Sequence, residues 1–502
     1  MRRLNSIRRS TTFICCLFAV AVSVPGQERS AVPPNPRDLK FPPLEFQPPK
    51  AAAYRQVLAN GVVGYFVEDH ELPLVNISVT VRTGSYLDPA GKPGLAAGVG
   101  SLMRSGGTER YKAEDFDEEA DFLAANISSS IGPTEGSASV NFLAKDADKA
   151  LELFFEMLRN PVFRQDRLDL YRSQQLQQIE RRNDRTDSIE SREWNRLLRG
   201  EDFFTCVLPT KTSISSLTRE DLLAFHKTYY TPANFIIAVS GDFQTPEMKA
   251  KLEKAMAGWT TTGGAVPAVP RSGHTPLPGV YMVNKTDVNQ ARVSLGHLGI
   301  KRGNPDEFAI DMMNDVLGGS GFTSRIMNRV RSDEGLAYSA GSSFTPGVYY
   351  EGFFRAFFQS KSSTTAQATQ IVLDEIERIR KEKVPADELE TVKNNAIEVF
   401  PRYFSTPAAV AGTFASDEFT GRAPGYWETY RDKIRKVTVD DVLRVAQQYL
   451  HPDKLVILAV GNIDDILKGN PDDPRYSFEK IAGGKPITRI PLPDPNTMIY
   501  PK

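Results

Sequence analysis

Histidine is the residue to examine first, because imidazole is the most common side-chain ligand of protein-bound metals. The chain has 502 residues and five histidines, at positions 70, 226, 274, 297 and 451. No two of them have the i, i+4 spacing that places both imidazoles on one face of a helix and lets them reach one zinc ion. The sequence therefore contains no local zinc motif, and a site assembled from distant histidines stays open as a minor alternative.

Other catalytic patterns are also missing from the sequence. It has no G-x-S-x-G nucleophile elbow and no Walker phosphate-binding loop. Gly318-Gly319-Ser320-Gly321 is rich in glycine, but no Gly-Lys-Ser/Thr follows it, so it is weak evidence for phosphate binding. The three cysteines, at 15, 16 and 206, are too few for a disulfide scaffold or a cysteine zinc site. The 61 basic and 62 acidic residues give a net charge of −1, so nothing electrostatic indicates a nucleic-acid partner.

The N-terminus has the pattern of an export signal. Four arginines, at 2, 3, 8 and 9, precede an apolar run over residues 13–22, which is typical of a secretory signal peptide. This run is shorter than the ~20 residues that a membrane-spanning helix needs. We expect residues 1–26 to be a signal peptide, the mature protein to be exported or periplasmic, and no stable membrane insertion after the signal is removed. An uncleaved anchor is the alternative.

The rest of the chain divides into five segments. Residues 27–53 form a proline-rich leader, which cannot be a helix or a central strand because proline lacks an N–H group and has a fixed φ. Two domains are predicted, over 54–262 and 279–465. Residues 263–278 contain four prolines and are the predicted linker, and 466–502 are the predicted C-terminal tail.

Hydrophobic periodicity predicts both strands and helices. Apolar and polar residues alternate over 75–82, 126–131 and 137–143, which indicates half-buried strands. Leu151, Phe154, Phe155 and Leu158 have the i, i+3, i+4, i+7 spacing of a buried helix face, and a long polar helix is predicted from 166 to about 182. This mixture is typical of the α+β class.

An internal repeat relates the two predicted domains. TREDLLAFHKTYYTPANFIIAVSGD at 218–242 aligns without a gap with TVDDVLRVAQQYLHPDKLVILAVGN at 438–462, an offset of 220 residues. Each copy predicts an N-capped helix, a turn with proline and a buried strand that ends in glycine. The fold prediction is therefore an internal duplication: two homologous α+β domains, each with a mostly antiparallel sheet flanked by helices.

Two further segments carry a family resemblance. They are GSYLDPAGKPGLAAGVGSLMRSGGTERY at 84–111 and MNDVLGGSGFTSRIMNRVRSDEGLAYS at 313–339. Both resemble the pitrilysin/insulinase superfamily of zinc peptidases, in the branch of mitochondrial processing peptidase and its bacterial relatives. The resemblance extends over residues 45 to 465 and implies a chamber formed by two subunits, each with two homologous domains.

The resemblance also shows that the zinc motif has been lost. Active members carry His-x-x-Glu-His after Gly-Leu-Ala, and the aligned positions here are Ala97, Gly100 and Ser101. The family's third ligand, a glutamate further along, aligns with Gln177 or Gln178. None of these side chains is a competent zinc ligand or a general base. We therefore expect no metal and no other cofactor to be bound by this chain.

The second segment keeps the other half of the family's active site. Arg331 and Tyr338 match the arginine–tyrosine pair that contacts the substrate, and both can donate hydrogen bonds to a peptide carbonyl or an oxyanion. Gly318, Gly319, Ser320 and Gly321 are predicted to let the backbone approach a bound peptide. The alternative is that Arg331 forms an ion pair with a nearby acid and that Tyr338 packs in the core.

These expectations define one leading function and two alternatives. The leading hypothesis is a non-catalytic, substrate-binding subunit of a two-subunit zinc metallopeptidase, with zinc held by a homologous partner that carries His-x-x-Glu-His and with peptides as substrates. The second is a catalytically dead structural or peptide-binding scaffold. The third is a self-sufficient peptidase with a relocated metal site.

Overall fold

Alternating apolar residues build two six-stranded sheets, one in each half of the chain, which confirms the α+β prediction. The structure is a computed structural model that describes residues 45–259 and 266–501; the predicted signal peptide and leader residues 27–44 lie outside the described residues. The described chain from Phe46 onward is a single folded unit. No described helix has both the length and the apolar character to cross a bilayer.

The first sheet has the strand order β1-β2-β6-β3-β5-β4. Only its β2–β6 pair is parallel. Its strands are β1 (Arg55–Val57), β2 (Val63–Glu68), β3 (Leu74–Val81), β4 (Asn126–Ile131), β5 (Gly136–Leu143) and β6 (Phe235–Gly241).

The second sheet has the order β12-β7-β11-β8-β10-β9. Its β12–β7 and β7–β11 pairs are parallel and the others are antiparallel. Its strands are β7 (Gly279–Asn284), β8 (Gln290–Leu298), β9 (Ala337–Thr345), β10 (Phe353–Lys361), β11 (Val456–Gly461) and β12 (Thr488–Ile490).

Residues 45–259 and 266–501 contain seventeen α-helices and two π-helical segments, Asp315–Gly319 and Asn328–Asp333. The first half contains α1 (Leu95–Ser105), α2 (Ala113–Phe122), α3 (Ala147–Arg159), α4 (Gln165–Glu180), α5 (Thr186–Arg199), α6 (Lys211–Ser216), α7 (Arg219–Tyr229) and α8 (Thr245–Ala255). The second half contains α9 (Glu307–Asn314), α10 (Arg325–Met327), α11 (Thr365–Lys381), α12 (Ala386–Val399), α13 (Pro407–Thr420), α14 (Tyr426–Lys436), α15 (Val439–Tyr449), α16 (Ile463–Lys468) and α17 (Phe478–Ile481).

The structure bears out the internal duplication in detail. α7 and α15 begin with the same capping box, in which Thr218 with Asp221, and Thr438 with Asp441, satisfy backbone N–H groups at the helix start. Each helix leads through a short 3₁₀ turn into a buried strand, β6 or β11, that lies between the corresponding neighbours of its sheet. Five strands of each sheet therefore share one topology, whereas the outermost strand differs: β1 pairs antiparallel with β2, and β12 pairs parallel with β7.

Each half also contributes a helix to the sheet of the other half. α5 packs on β8 and β11 through Ile189, Trp194 and Leu198. α13 packs on β2 and β6 through Phe414 and Phe419. The two helices begin 221 residues apart, close to the repeat offset, so the exchange is reciprocal and ties the two sheets into one unit.

The C-terminal residues are part of this unit. Residues 266–278, within the predicted linker, contain no helix or strand. In the predicted tail, β12 extends the second sheet. Further on, the Tyr500 hydroxyl donates a hydrogen bond of 2.8 Å to Glu193, a buried carboxylate of α5. The tail thus contacts elements from both halves.

Candidate functional site

The helix that carries the degenerate zinc motif begins in a sharp turn. Gly94 precedes α1 in the left-handed region, with φ of +98°. The Asp88 carboxylate accepts hydrogen bonds from the backbone N–H groups of Gly94 (2.8 Å) and Ala96 (2.7 Å). It therefore satisfies two of the free donors at the helix start. Burial of this carboxyl raises its pKa to about 6 despite these bonds.

α1 lies directly against the backbone of the edge strand β4. Ala97 and Ser101 are exposed, but Gly100 is buried between them. A Cβ atom at position 100 would lie 2.7 Å from the carbonyl carbon of Ser130 and 2.9 Å from its Cα, which is closer than real Cβ contacts. The Ser129 hydroxyl donates to the Gly100 carbonyl at 2.6 Å and holds the two elements together. The position aligned with the family's general base therefore has no room for a side chain.

A second hydrogen bond closes the same contact further along the helix. Arg104 Nε donates to the Ile127 carbonyl of β4 at 3.0 Å. Its guanidinium also pairs with Asp117 at 2.6 Å and lies over the Phe116 ring at 4.8 Å. Hydrogen bonds thus hold α1 against β4 at both ends of the contact. The zinc motif is therefore lost in two ways: its side chains are replaced, and β4 packs where the side chain at position 100 would lie.

The position of the family's third ligand is also unsuited to zinc. Gln177, Gln178 and Glu180 all lie on the exposed surface of α4. Gln178 lines a cavity of about 590 Å³ with Arg182 and other residues, and that cavity includes no residue of α1. Among residues 45–259 and 266–501, no group of three or more His, Cys, Asp or Glu side chains could hold a metal ion. A relocated metal site has no support in this part of the chain.

Two of the histidines are buried and lie within hydrogen-bond distance of backbone groups. His226 is buried with Nε2 2.8 Å from the Leu158 carbonyl, and burial lowers its pKa to about 4. His297 Nδ1 lies 2.8 Å from the Leu298 carbonyl, and its Nε2 accepts the N–H of His451. Burial lowers the pKa of His297 to about 4 as well. Both buried imidazoles are therefore neutral at pH 7, with Nε2 of each engaged in a backbone contact.

The arginine–tyrosine pair lies at an exposed edge of the second sheet. Tyr338 is on β9, the edge strand of the second sheet, and Arg331 is in the preceding π-helical segment. Arg331 Cζ lies 4.7 Å from the centroid of the Tyr338 ring and 4.7 Å from that of the Phe322 ring, so both aromatic rings are in cation–π contact with the guanidinium. Tyr338 is 83% exposed and Phe322 is 66% exposed. We call these three residues the arginine stack.

The arginine stack has free hydrogen-bonding capacity. Within the described residues, neither the Arg331 side chain nor the Tyr338 hydroxyl forms a hydrogen bond or an ion pair. The alternative expectation is wrong for Tyr338, which is not in the core, and the ion pair expected of Arg331 is not formed in this part of the chain. Phe322 lies in the quoted family segment, but sequence reasoning did not select it; a large aromatic directly after glycine was the available signal.

The four predicted backbone-contact residues have different environments. Gly318 is buried, and a Cβ there would overlap Ser342 of β9, so this glycine serves packing just as Gly100 does. Gly319 is exposed, and the Ser320 hydroxyl donates to the Asp315 carbonyl at 2.8 Å. Gly321 has φ of +63° with open space around its Cα. Their role toward a peptide stays a prediction.

These features define a class of protein: a duplicated α+β metallopeptidase fold with a degenerate metal motif in one half. Two sequence models of one family match the chain, "Insulinase (Peptidase family M16)" over residues 66–197 and "Peptidase M16 inactive domain" over residues 216–396, and together they cover more than half of it. The chain belongs to peptidase family M16, the pitrilysin/insulinase superfamily, and lies in its inactive-like branch.

Individual relatives agree with this assignment. An uncharacterized zinc protease of Rickettsia bellii is 24% identical over 370 residues, 68% of this chain and 87% of that protein. A non-peptidase homolog, YmxG of Helicobacter pylori, is 22% identical over 418 residues, 82% of this chain and 94% of that protein. The crystal structure of a peptidase M16 inactive domain from Pseudomonas fluorescens is 25% identical, with a TM-score of 0.73 over 81% of this chain and 97% of that one. The chain is therefore similar both to a relative named a zinc protease and to members named as a non-peptidase homolog or an inactive domain.

Proposed function

We propose that this chain is the non-catalytic, substrate-binding subunit of a two-subunit zinc metallopeptidase. The observation that carries the proposal is the contrast between its two motif regions. The family's general-base position is closed by the packing of Gly100 and its ligand positions carry alanine and serine, whereas Arg331 and Tyr338 are exposed, adjacent and without a hydrogen bond or ion pair in the described chain. A purely structural protein has no evident use for an unpaired guanidinium and phenol at a sheet edge.

The partner in this proposal is a homologous subunit that carries His-x-x-Glu-His and holds the zinc. Exposed Ala97 and Ser101 and buried Gly100 do not fit a metal, so no step of the reaction is assigned to a metal on this chain. Peptides are the substrates. We infer that the chain reaches the periplasm, or another exported location, through the signal at residues 1–26.

The chemistry assigned to this chain is hydrogen-bond donation. The Arg331 guanidinium and the Tyr338 hydroxyl can donate to a peptide carbonyl, and their donation strengthens as that oxygen becomes an oxyanion. Both groups lie at β9, an edge strand, to which an extended peptide can add by backbone pairing. Such pairing would hold peptides of varied sequence and present their carbonyls to the pair.

The test is co-expression of this chain with the homologous zinc-motif subunit of the same genome, followed by pull-down and peptide cleavage, singly and together. We expect cleavage only by the complex. Arg331→Ala should lower kcat about 10²- to 10³-fold, the effect of removing one oxyanion donor, and leave assembly unchanged. Arg435→Ala, at an exposed arginine paired only with Asp432, is the matched control.

Each other outcome contradicts the proposal in a different way. An unchanged rate for both Arg331→Ala and Tyr338→Phe would remove the pair from the mechanism. A stable complex without peptidase activity would favour the scaffold. Stoichiometric zinc and cleavage by the purified chain alone would favour the self-sufficient peptidase.

A further inference from the structure

Phe322 is an aromatic residue that is exposed to solvent instead of being packed in the core. Its ring is 66% exposed, although burial of a phenylalanine side chain is favourable. It lies in the 3₁₀ turn Gly321–Thr323, directly after Gly321 in the left-handed region. The turn directs the ring onto Arg331, with the guanidinium carbon 4.7 Å from the ring centroid.

We propose that Phe322 is a positioning residue for Arg331, which it holds against Tyr338 so that the guanidinium edge faces the substrate. This inference rests on the proposed function. An arginine side chain has many rotamers, and ordering it costs entropy whenever it binds. Contact with two rings restricts the guanidinium before the substrate arrives, and such pre-organisation favours the transition state.

The shape of the guanidinium determines how an acceptor can approach it. The group is planar, so its N–H donors lie in one plane, and its contacts with Phe322 and Tyr338 are cation–π contacts rather than hydrogen bonds. A planar acceptor must approach in that plane, as a peptide carbonyl or a carboxylate can.

Aromatic rings hold the arginine without neutralising it. The two acidic residues nearest in sequence are engaged elsewhere: Asp333 pairs with Arg329 at 3.5 Å, and Glu334 accepts a hydrogen bond from Gln367 at 3.3 Å. A carboxylate partner would occupy the N–H groups that the substrate needs, whereas a ring leaves them free.

The experiment measures kcat and KM of the assembled complex with Phe322→Ala and Phe322→Tyr. We expect Phe322→Ala to lower kcat about 2- to 5-fold, the value of a cation–π contact at an exposed site, with a smaller change in KM. Phe322→Tyr, which keeps the ring, should restore the rate. Phe122→Ala is the matched control, because Phe122 is an 87% exposed phenylalanine at the end of α2 in the other half.

A double-mutant cycle with Arg331→Ala separates positioning from a general structural effect. Phe322→Ala should have no further effect on kcat when Arg331 is already alanine, because the two residues act as a unit. Equal losses in both backgrounds, no rescue by tyrosine, or a drop in Tm that accounts for the lost activity would overturn the inference. If Arg331→Ala lowers kcat and Phe322→Ala does not, only this inference fails. If neither does, the proposed function fails with it.

Discussion

The two halves of the chain use the same packing device with opposite results. In the first half, Gly100 lets α1 approach the edge strand β4, and the helix continues past this contact to Ser105. In the second half, Gly318 lets a π-helical segment approach the edge strand β9, but the helix ends there. The residues that follow then form the exposed arginine stack. The degenerate zinc motif of the first half thus combines a backbone contact at Gly100 with unsuitable side chains at positions 97 and 101, whereas the second half presents the exposed side chains of the arginine stack.

A second difference between the halves lies under the exchanged helices. Glu190 of α5 is buried on the second sheet and accepts hydrogen bonds from Ser294, Arg355 and Arg292, the last at 3.2 Å. The residue 221 positions later is Ala411 of α13, which borders a cavity of about 350 Å³ over the first sheet. α5 therefore carries a buried carboxylate over its sheet, whereas the corresponding position of α13 is an alanine beside a cavity.

The largest expected effect is that of restoring the family's glutamate in the first half. Gly100→Glu should lower the free energy of unfolding by more than about 4 kcal/mol, because its Cβ would overlap the β4 backbone and its carboxylate would be buried. Denaturant unfolding measures the change. Ala97→Glu, at an exposed position of the same helix, is the control and should change stability by less than about 0.5 kcal/mol. Equal stability of the two variants would show that α1 and β4 separate easily. The two halves would then differ in their side chains and not in this backbone contact.

Much of the fold could be predicted from the sequence because its signals are local. Alternation predicted β4 at its observed bounds, and the polar helix predicted from 166 to about 182 is α4, Gln165–Glu180. The exchange of α5 and α13 could not be predicted, because helical periodicity shows that a face is buried but not which sheet covers it. β12 was missed for a related reason, since a three-residue strand has too little periodicity to be recognised.

The candidate site was predictable only in part. The resemblance selected Arg331 and Tyr338, but their residue types alone also fitted an ion pair and a core position. Exposure of Tyr338 depends on the edge position of β9, which is a property of the whole sheet. The contact between Gly100 and β4 could not be predicted either, because the sequence shows a glycine in a helix but not which backbone packs against it.

The next effect concerns the buried charge under α5. Glu190→Gln should lower the free energy of unfolding by about 2 kcal/mol, since it leaves Arg292 and Arg355 without their anion; partial exposure of both arginines reduces the cost of a fully buried pair. Glu377→Gln, at a surface helix pair, should cost no more than about 0.5 kcal/mol. If the two variants unfold at the same denaturant concentration, the buried ion pairs of Glu190 stabilise the protein no more than a surface pair does.

The smallest effect on stability should come from returning only the two ligand imidazoles. Ala97→His with Ser101→His places histidines at i, i+4 on the exposed face of α1, so folding should change by less than about 0.5 kcal/mol. Zinc should bind more weakly than at a three-ligand site, because the third position is a glutamine and position 100 supplies no base. Competition with a chromophoric chelator measures the affinity, and the pair of glutamine substitutions at the same positions is the control. Tight zinc binding with peptide cleavage by this variant alone would show that two side chains, rather than the α1–β4 contact, separate the first half from an active peptidase.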